Sequence, residues 1–465
     1  MEDHTLKQTS LPFGRKLAYG LGDVGASCSN LFFASYFLVY CTNCLLIPAA
    51  TASTILIAAR VFDIVNDSWW GTWTDNKPNS PFGKYRKQMM TWIIPAIIFT
   101  CLMFGAPHSV IGTPMATVWA TVMYFMWTFC FSAWNCAYTG LSAVITPDHR
   151  ERGSAASLRM GLMMLSNIFI VDIITRFTAQ YGENSPIGWL KAVIILSIAG
   201  VIICAITVLG SKEVITIEPK PKGERDGAVK NIMTCLKNKQ FMICAVVSIA
   251  VGCAVNGRNG VMAYYFLYIK GDYTAISIFA TVFSVGALFG GLLFPYVSDL
   301  LKSKGKACQA YAALGIIFTF GMYATAGNVH GIAWFVCVFL SYFGAFGLMT
   351  GFFGMTPDTA DYGYHETGKY QIGVYSAMIT FWHKMGFVII QGTVGFFLSA
   401  AGFDAAVMDK PQPDAAQAVI SWEFFWIPCV FLLLVIILMK FYKLDYATCQ
   451  KIREENVEKY GEYVD

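Results

Sequence analysis

ITPDHRERG (Ile145–Gly153) and MTPDTADYG (Met355–Gly363) are two versions of one motif, one in each half of a 465-residue chain, and each follows a long apolar run. A second pair of echoes stands earlier in each half, GTWTDNKPNSPFGKYRK (Gly71–Lys87) and YVSDLLKSKGK (Tyr296–Lys306). A bilayer core needs about 20 apolar residues per helix. Working outward from these loops, twelve candidate spans can be read, near 20–44, 51–74, 88–107, 114–146, 154–178, 188–210, 241–269, 274–298, 307–326, 332–355, 370–401 and 419–440. The echoes then follow spans 4 and 10, and spans 2 and 8. Matching loops after matching helices is the pattern of a transporter built from parallel repeats. The expected fold class is an all-α polytopic membrane protein with twelve transmembrane helices in two six-helix bundles. Residues 1–210 and 241–442 form the bundles. A central loop at 211–240, holding the polar stretch EPKPKGERDG (Glu218–Gly227), joins them, and a tail follows at 443–465.

The composition agrees. Apolar residues make up 56% of the chain, charged residues 13%, and the mean hydropathy is +0.53. A soluble domain carries about 25% charged residues to cover its surface, so a soluble globule of this size is excluded, as are disordered and collagen-like classes. The net charge of +4 is no nucleic-acid footprint. The 14 cysteines, scattered through apolar runs and read as holding no CxxC pair, are expected to be small buried hydrophobes rather than bridges or metal ligands. The first sixteen residues are polar and the first apolar run is long, unlike a cleavable signal. Loops after even-numbered spans, with both termini and Lys440 at the end of the last span, hold 25 Lys and Arg, including Arg15, Lys16, Lys84, Arg86 and Lys87; the opposite loops hold two, Lys270 and Lys410. By the positive-inside rule both termini are expected in the cytoplasm.

Ionisable residues inside spans are expensive and mark function by default. In ARVFDIVNDSWWG (Ala59–Gly71), Arg60, Asp63 and Asp67 share one helical face, with Asn66 nearby. Two carboxylates one turn apart can ligate a small hard cation, or their repulsion can hold a proton on one of them. Arg60 could instead neutralise Asp63 as structural glue, although two acids against one base leave a surplus negative charge. Asp23 in YGLGDVG (Tyr19–Gly25) is either a helix-end charge or a functional group. Span 4 offers Ser132, Asn135 and Tyr138 on one polar-tinged face. Span 5 offers Arg159, and Asp172 with Arg176 as a simple one-turn pair. NGRNG (Asn256–Gly260) places Arg258 in a Gly-flanked stretch expected to be broken, and WHKMG (Trp382–Gly386) places His383 and Lys384 well inside the bilayer. Lys384 is expected to meet a carboxylate of another helix or an anionic substrate group. At the Lys/Arg-rich ends, Asp75, Arg86, Asp148, Arg150, Arg152, Asp299, Asp358 and Asp361 read as a latch of weak pairs closing the cytoplasmic mouth.

YGLGDVG, ARVFDIVNDSWWG, the FGKYR loop (Phe82–Arg86), ITPDHRER and DTADYG together resemble the glycoside–pentoside–hexuronide:cation symporters of the major facilitator superfamily, from about Lys16 to Tyr442. The resemblance implies a central sugar cavity and coupled cation uptake by alternating access. Asp63 and Asp67 match the two carboxylates that melibiose-type carriers use for Na⁺, Li⁺ or H⁺; the same pair would be the metal site if Na⁺ couples. Lys384 and Arg159 match the lysine of span 11 and the arginine of span 5, and Arg152, Asp358 and Asp361 fall on cytoplasmic gate charges. The sugar site departs. The two aspartates that grip galactosides fall on Ser27 and Asn135, and the stacking tryptophans of spans 4 and 10 fall on Thr139 and Met349. A neutral residue cannot give the charge-assisted acceptance that an aspartate gives to sugar hydroxyls, so galactoside transport is not expected. With Arg159, Arg258 and Lys384 retained, the cavity should favour an anionic glycoside such as a hexuronide.

The expected activity is cation-coupled symport of a sugar or glycoside across a bacterial plasma membrane, with H⁺ or Na⁺ as the coupling ion, no cofactor, and a monomer sufficient. A carrier for a non-sugar organic anion on the same scaffold is the alternative. No HExxH, GxSxG or P-loop argues for a membrane enzyme or an ATP motor.

Overall fold

The computed structural model describes residues 11–75, 80–146, 149–182, 185–214, 228–272, 274–368, 371–403 and 412–460. Among them the regular structure is helical, with twelve long helices: α1 (Phe13–Asn43), α2 (Ala49–Asp75), α3 (Lys84–Phe104), α4 (Pro114–Val144), α5 (His149–Tyr181), α6 (Pro186–Gly210), α7 (Lys239–Lys270), α8 (Ala275–Leu300), α9 (Lys304–Thr325), α10 (Ile332–Thr367), α11 (Ile372–Ala400) and α12 (Asp414–Met439). Among the described residues, ten are long and apolar enough to cross a membrane by length and composition. Of the twelve, α2 carries Arg60, Asp63 and Asp67, and α11 carries His383 and Lys384.

The chain divides into two units, Met1–Pro221 and Lys222–Asp465. In the first, α1 packs on α5 and α6, α4 packs on α2 and α3, and α3 packs on α6. In the second, α7 packs on α11 and α12, α10 packs on α8 and α9, and α9 packs on α12. These are the same five pairings moved six helices along the chain, so the loop echoes belong to a structural repeat. Without a hydrophobic driving force between helices in lipid, such pairs rely on close backbone approach at small residues. A Cβ at Gly286 or Gly290 of α8 would lie 2.4 or 2.2 Å from the carbonyl oxygens of Phe339 and Phe343 on α10.

Local chemistry sets several ends. Pro114 and Pro186 open α4 and α6, where a missing N–H costs nothing. Gly368, at φ +67°, closes α10 in the left-handed region.

Four expectations need correction. Asp358 and Asp361 are not in a loop: α10 continues through Pro357 to Thr367, with Asp358, Thr359, Ala360 and Asp361 all buried against the rest of the second unit. The Gly-flanked stretch around Arg258 does not break. Gly257 and Gly260 instead let Ile390 and Gln391 of α11 close onto α7, and the irregularity comes later, as a π-helical turn at Tyr265–Lys270. The connection at 211–240 is not wholly a polar linker, because Ala228–Lys237 is a helix that seats Cys235, fully buried, near α7 and α11. Finally, Cys41 and Cys44 do stand at C-x-x-C spacing, although both are buried and neither is in a disulfide. Two more π-helical turns occur, at Phe32–Tyr36 in α1 and Trp422–Trp426 in α12.

Candidate functional site

The acidic face of α2 lies on α4, and the contact has a helical register. Ser132 Oγ donates to Asp63 Oδ1 at 2.6 Å. Four residues to either side, Thr128 offers its carbonyl to Asn66 Nδ2 at 3.4 Å, and Cys136 Sγ donates to the carbonyl of Asp67 at 3.5 Å. Thr128, Ser132 and Cys136 thus form one stripe on α4, and Asp63, Asn66 and Asp67 form its counterpart on α2. Asp63 and Asn66 are buried and Asp67 is half-buried. One turn further along α2, Trp70 is fully buried among Trp73, Trp92 and Phe129. This aromatic plug puts an apolar floor beneath the carboxylates. Oxygen ligands one turn apart, in a site screened from bulk water, suit a proton or a small monovalent cation.

A second polar cluster joins α1, α4 and α5. Arg159 grips Asp23 with two bonds, Nε to Oδ2 at 2.5 Å and Nη2 to Oδ1 at 3.0 Å. Its Nη1 donates to Tyr19 Oη at 3.2 Å, and its guanidinium lies 4.3 Å from the ring centre of Tyr138. Tyr138 Oη in turn donates to the carbonyl of Tyr19 at 2.7 Å. Asp23 is therefore no solvated helix-end charge. Its fork-on-fork partner neutralises Arg159, so this arginine adds no net positive charge to its surroundings. Ser27, one turn beyond Asp23, is buried; Asn135 is half-buried and Thr139 is exposed.

In the second unit, α11 lies against α7 because Gly252 and Gly386 admit the opposing backbone; a Cβ on Gly386 would meet the Ile249 carbonyl at 2.3 Å. His383 turns to α7, with Nδ1 3.3 Å from the Ser248 carbonyl. Lys384, the next residue and about 100° round the helix, is half-buried, as is Met349 on α10. Arg258 goes elsewhere. It is 3% exposed and donates to Phe424 O, Ser341 Oγ and Thr319 Oγ1 at 2.9, 2.8 and 2.8 Å, so it ties α7 to α12, α10 and α9 inside the bundle. The expectation that Arg258 faces substrate is set aside on this geometry. Asp172 and Arg176 do pair, at 2.7 Å on an exposed face.

At the Lys/Arg-rich end, Asp148 lies outside the described residues, as do the side chains of Asp75, Arg150 and Arg152. For three of the remaining gate residues a bond to a residue of the second unit is seen. Asp358 pairs with Lys304 at 2.6 Å, Asp299 accepts from Tyr446 Oη at 2.8 Å, and the Asp361 carbonyl accepts from Asn456 Nδ2 at 3.0 Å. Tyr446 and Asn456 belong to a tail helix, Tyr446–Tyr460, that packs on α10. Arg86 donates to the Val208 carbonyl and stacks 4.6 Å from Phe82. Sequence reasoning missed Glu213. Just beyond α6, its carboxylate accepts from the backbone N–H groups of Lys84, Tyr85 and Arg86 at 2.9, 2.8 and 2.9 Å, capping α3. An acid three residues past a long apolar run was the available signal; only the partner helix was hidden.

Residues 18–446 match the family model described as MFS/sugar transport protein. The chain belongs to this family. It is a multi-pass membrane transporter, not an enzyme. An Escherichia coli (strain K12) protein named for sulfoquinovose import is 26% identical over 447 residues, covering 95% of this chain and 93% of the relative. The inner membrane symporter YicJ of the same strain is 27% identical, covering 97% and 96%. Among solved structures, a D-xylose-proton symporter superposes with a TM-score of 0.66 at 12% identity, covering 94% of this chain and 99% of that one; this is a likeness of fold.

Proposed function

We propose that this transporter imports an anionic sugar or glycoside by symport with a monovalent cation, H⁺ or Na⁺, through alternating access. The observation that carries the reading is the buried Asp63, hydrogen-bonded to Ser132 one turn from Asp67, inside a membrane helix. A proton or Na⁺ on this pair lowers the cost of two adjacent carboxylates, one buried and one half-buried. That gain is larger when substrate is bound, and the coupling is reciprocal: the cation raises substrate affinity by the factor by which substrate raises cation affinity. An Na⁺ would be held by the carboxylates of Asp63 and Asp67, with the hydroxyl of Ser132 in second place as their orienting donor.

Lys384 supports the preference for an anion. Arg159 does not, since Asp23 takes its charge, and its part is to order Tyr19, Tyr138 and Asp23 on the substrate side of α1, α4 and α5. Ser27, Asn135 and Thr139 would offer neutral hydrogen bonds to sugar hydroxyls, and Met349 an apolar face. The resemblance to a chain named for sulfoquinovose import extends the substrate class from hexuronides to sulfonated sugars. The absence of acids at Ser27 and Asn135 equally favours the second reading, a non-sugar organic anion on the same scaffold. In either case the loops rich in Lys and Arg, the tail helix and the Lys304–Asp358 pair lie on the cytoplasmic side, with both termini, and a monomer suffices.

The test is the external pH of lightly buffered, energy-depleted cells after addition of glucuronides, sulfonated sugars, pentosides or galactosides. Alkalinisation with an anionic sugar, lost in Asp67→Asn, is the expected result. Uptake that persists unchanged in both Asp63→Asn and Asp67→Asn overturns the coupling mechanism. A response to galactosides alone overturns the substrate class.

A further inference from the structure

Among the described residues, the deepest acid of the second unit is one that the transport reading does not use. Glu423 lies in the π-helical turn Trp422–Trp426 of α12 and is 2% exposed. Its Oε2 is sealed from solvent and has no hydrogen-bond donor among the described residues. The wall it faces is apolar: a Cβ on Gly257 would lie 3.6 Å from Oε2 and 2.7 Å from Ile390. The turn packs against α7 and α9 and the two regular parts of α12. The titratable or charged groups on those elements are Lys239, Cys244, Cys253, Arg258, Tyr264, Tyr265, Tyr268 and Lys270 of α7, Lys304, Lys306, Cys308, Tyr311 and Tyr323 of α9, and Asp414 and Cys429 of α12. Arg258, the buried cation among them, donates from Nε, Nη1 and Nη2 to Phe424 O, Ser341 and Thr319. Among the described residues no ion pair reaches Glu423.

An ionised carboxylate in such a place leaves Oε2 with neither water nor donor, a cost that protonation lowers. A neutral acid is the stable form, and a leucine or glutamine would fill the volume at less expense. The backbone shows why an acid here can change state. A π turn contains one extra residue and is a common device at functional positions, and the guanidinium of Arg258 holds this one by bonding the carbonyl of Phe424, the residue after Glu423. Relaxing the turn to α geometry would rotate Glu423 by about 100° around the helix, out of the pocket formed by Gly257 and Ile390.

We propose that Glu423 is a second proton-binding site, in the C-terminal unit and separate from Asp63 and Asp67, that carries a proton in the π-turn state and releases it to water when the turn closes. The proton enters as H⁺ from water onto the carboxylate and leaves the same way, with no other bond changed. The inference stands whether the coupling ion at Asp63 and Asp67 is H⁺ or Na⁺.

Infrared spectroscopy of the full-length protein in liposomes tests it. An Asp63→Asn/Asp67→Asn double variant should keep a carboxylic-acid C=O band at neutral pH, shifted in D₂O, and adding Glu423→Gln should abolish that band. Should the glutamine variant fail to insert, Glu423→Asp should retain the band at a shifted frequency. Arg258→Lys, which loses the fork that holds Phe424 O, should release the proton at lower pH than the parent. An unchanged band in the Glu423→Gln background, or a carboxylate band alone at neutral pH in the double variant, overturns the proposal. Because the Asp63 and Asp67 variants form the background, loss of transport coupling and loss of the Glu423 band are scored separately.

Discussion

Glu213 holds the first turn of α3 from a distance of more than a hundred residues in sequence, and Glu213→Gln should loosen that turn selectively. Three backbone N–H groups at 2.8–2.9 Å converge on its carboxylate at a helix N-terminus. Here a negative charge gains from both hydrogen bonding and the helix dipole. A bond to a charged acceptor contributes about 1.5–3 kcal/mol and the dipole about 0.3–1. The glutamine keeps one acceptor oxygen, turns an N–H₂ group against the other donors, and removes the charge. A net loss of about 2 kcal/mol is expected, which raises the local opening equilibrium by roughly thirtyfold. Hydrogen exchange read by mass spectrometry on peptides covering residues 83–90 measures it. Exchange there should accelerate about thirtyfold while α8 and α10 stay unchanged. Glu213→Asp, a methylene shorter, should fall between the two. Rates within about twofold of the parent would show that the turn is held by Arg86 and the loop, and the assigned role of Glu213 would be wrong.

Lys304→Ala removes the cation paired with Asp358, whose side chain is 4% exposed; about 3–5 kcal/mol of stability should be lost, and Lys304→Leu with Asp358→Leu should recover most of it in a thermal melt. Gly290→Ala drives a Cβ against the Phe343 carbonyl and should cost about 1–3 kcal/mol, seen as lower yield of folded protein and a lower Tm. Arg159→Lys keeps the charge but loses the two-bond grip on Asp23, so substrate KM should rise roughly tenfold or more with expression intact; an unchanged KM would remove the cluster from the substrate site. Between α7 and α8, the hydrogen bond from Thr274 first, and those from His330 and the Ala275 N–H, hold the Asp272 carboxyl below its ordinary range. A depressed acid contributes stability above its unfolded pKa and loses it as pH falls through the folded value. The acid limb of a melting curve should therefore flatten in Asp272→Asn, by a small amount because the pair is exposed.

Much of the candidate site was legible because membranes make charge conspicuous. Asp63 and Asp67 stand out in any reading of α2, since an acid in an apolar run has few structural excuses. What could not be read was each charge's partner. Asp23 and Arg159 are far apart in the chain, and nothing local says that one neutralises the other; the packing of α1 on α5 does that. Arg258 looked like a substrate group for the same reason. Its acceptors are a carbonyl and two hydroxyls on three other helices, and neutral acceptors leave no signature in a charge pattern. Asp358 and Asp361 were misplaced into a loop because TPD reads as a turn signal, whereas α10 runs on through the proline with the tail helix bonded to it. Glu423 drew no attention, since a lone acid beside tryptophans near a span end reads as an interfacial residue.

By itself the sequence determined the number of spans, the two halves, the family and the face of α2 that carries the acids. Those follow from quantities that repeat along one chain: span length set by bilayer thickness, the helical period, and loops echoed after equivalent helices. Tertiary structure decided which charges cancel, which are sealed and which helix is capped by a distant acid. Each of these depends on a partner brought within about 3 Å by packing, and distance in the sequence carries no record of that.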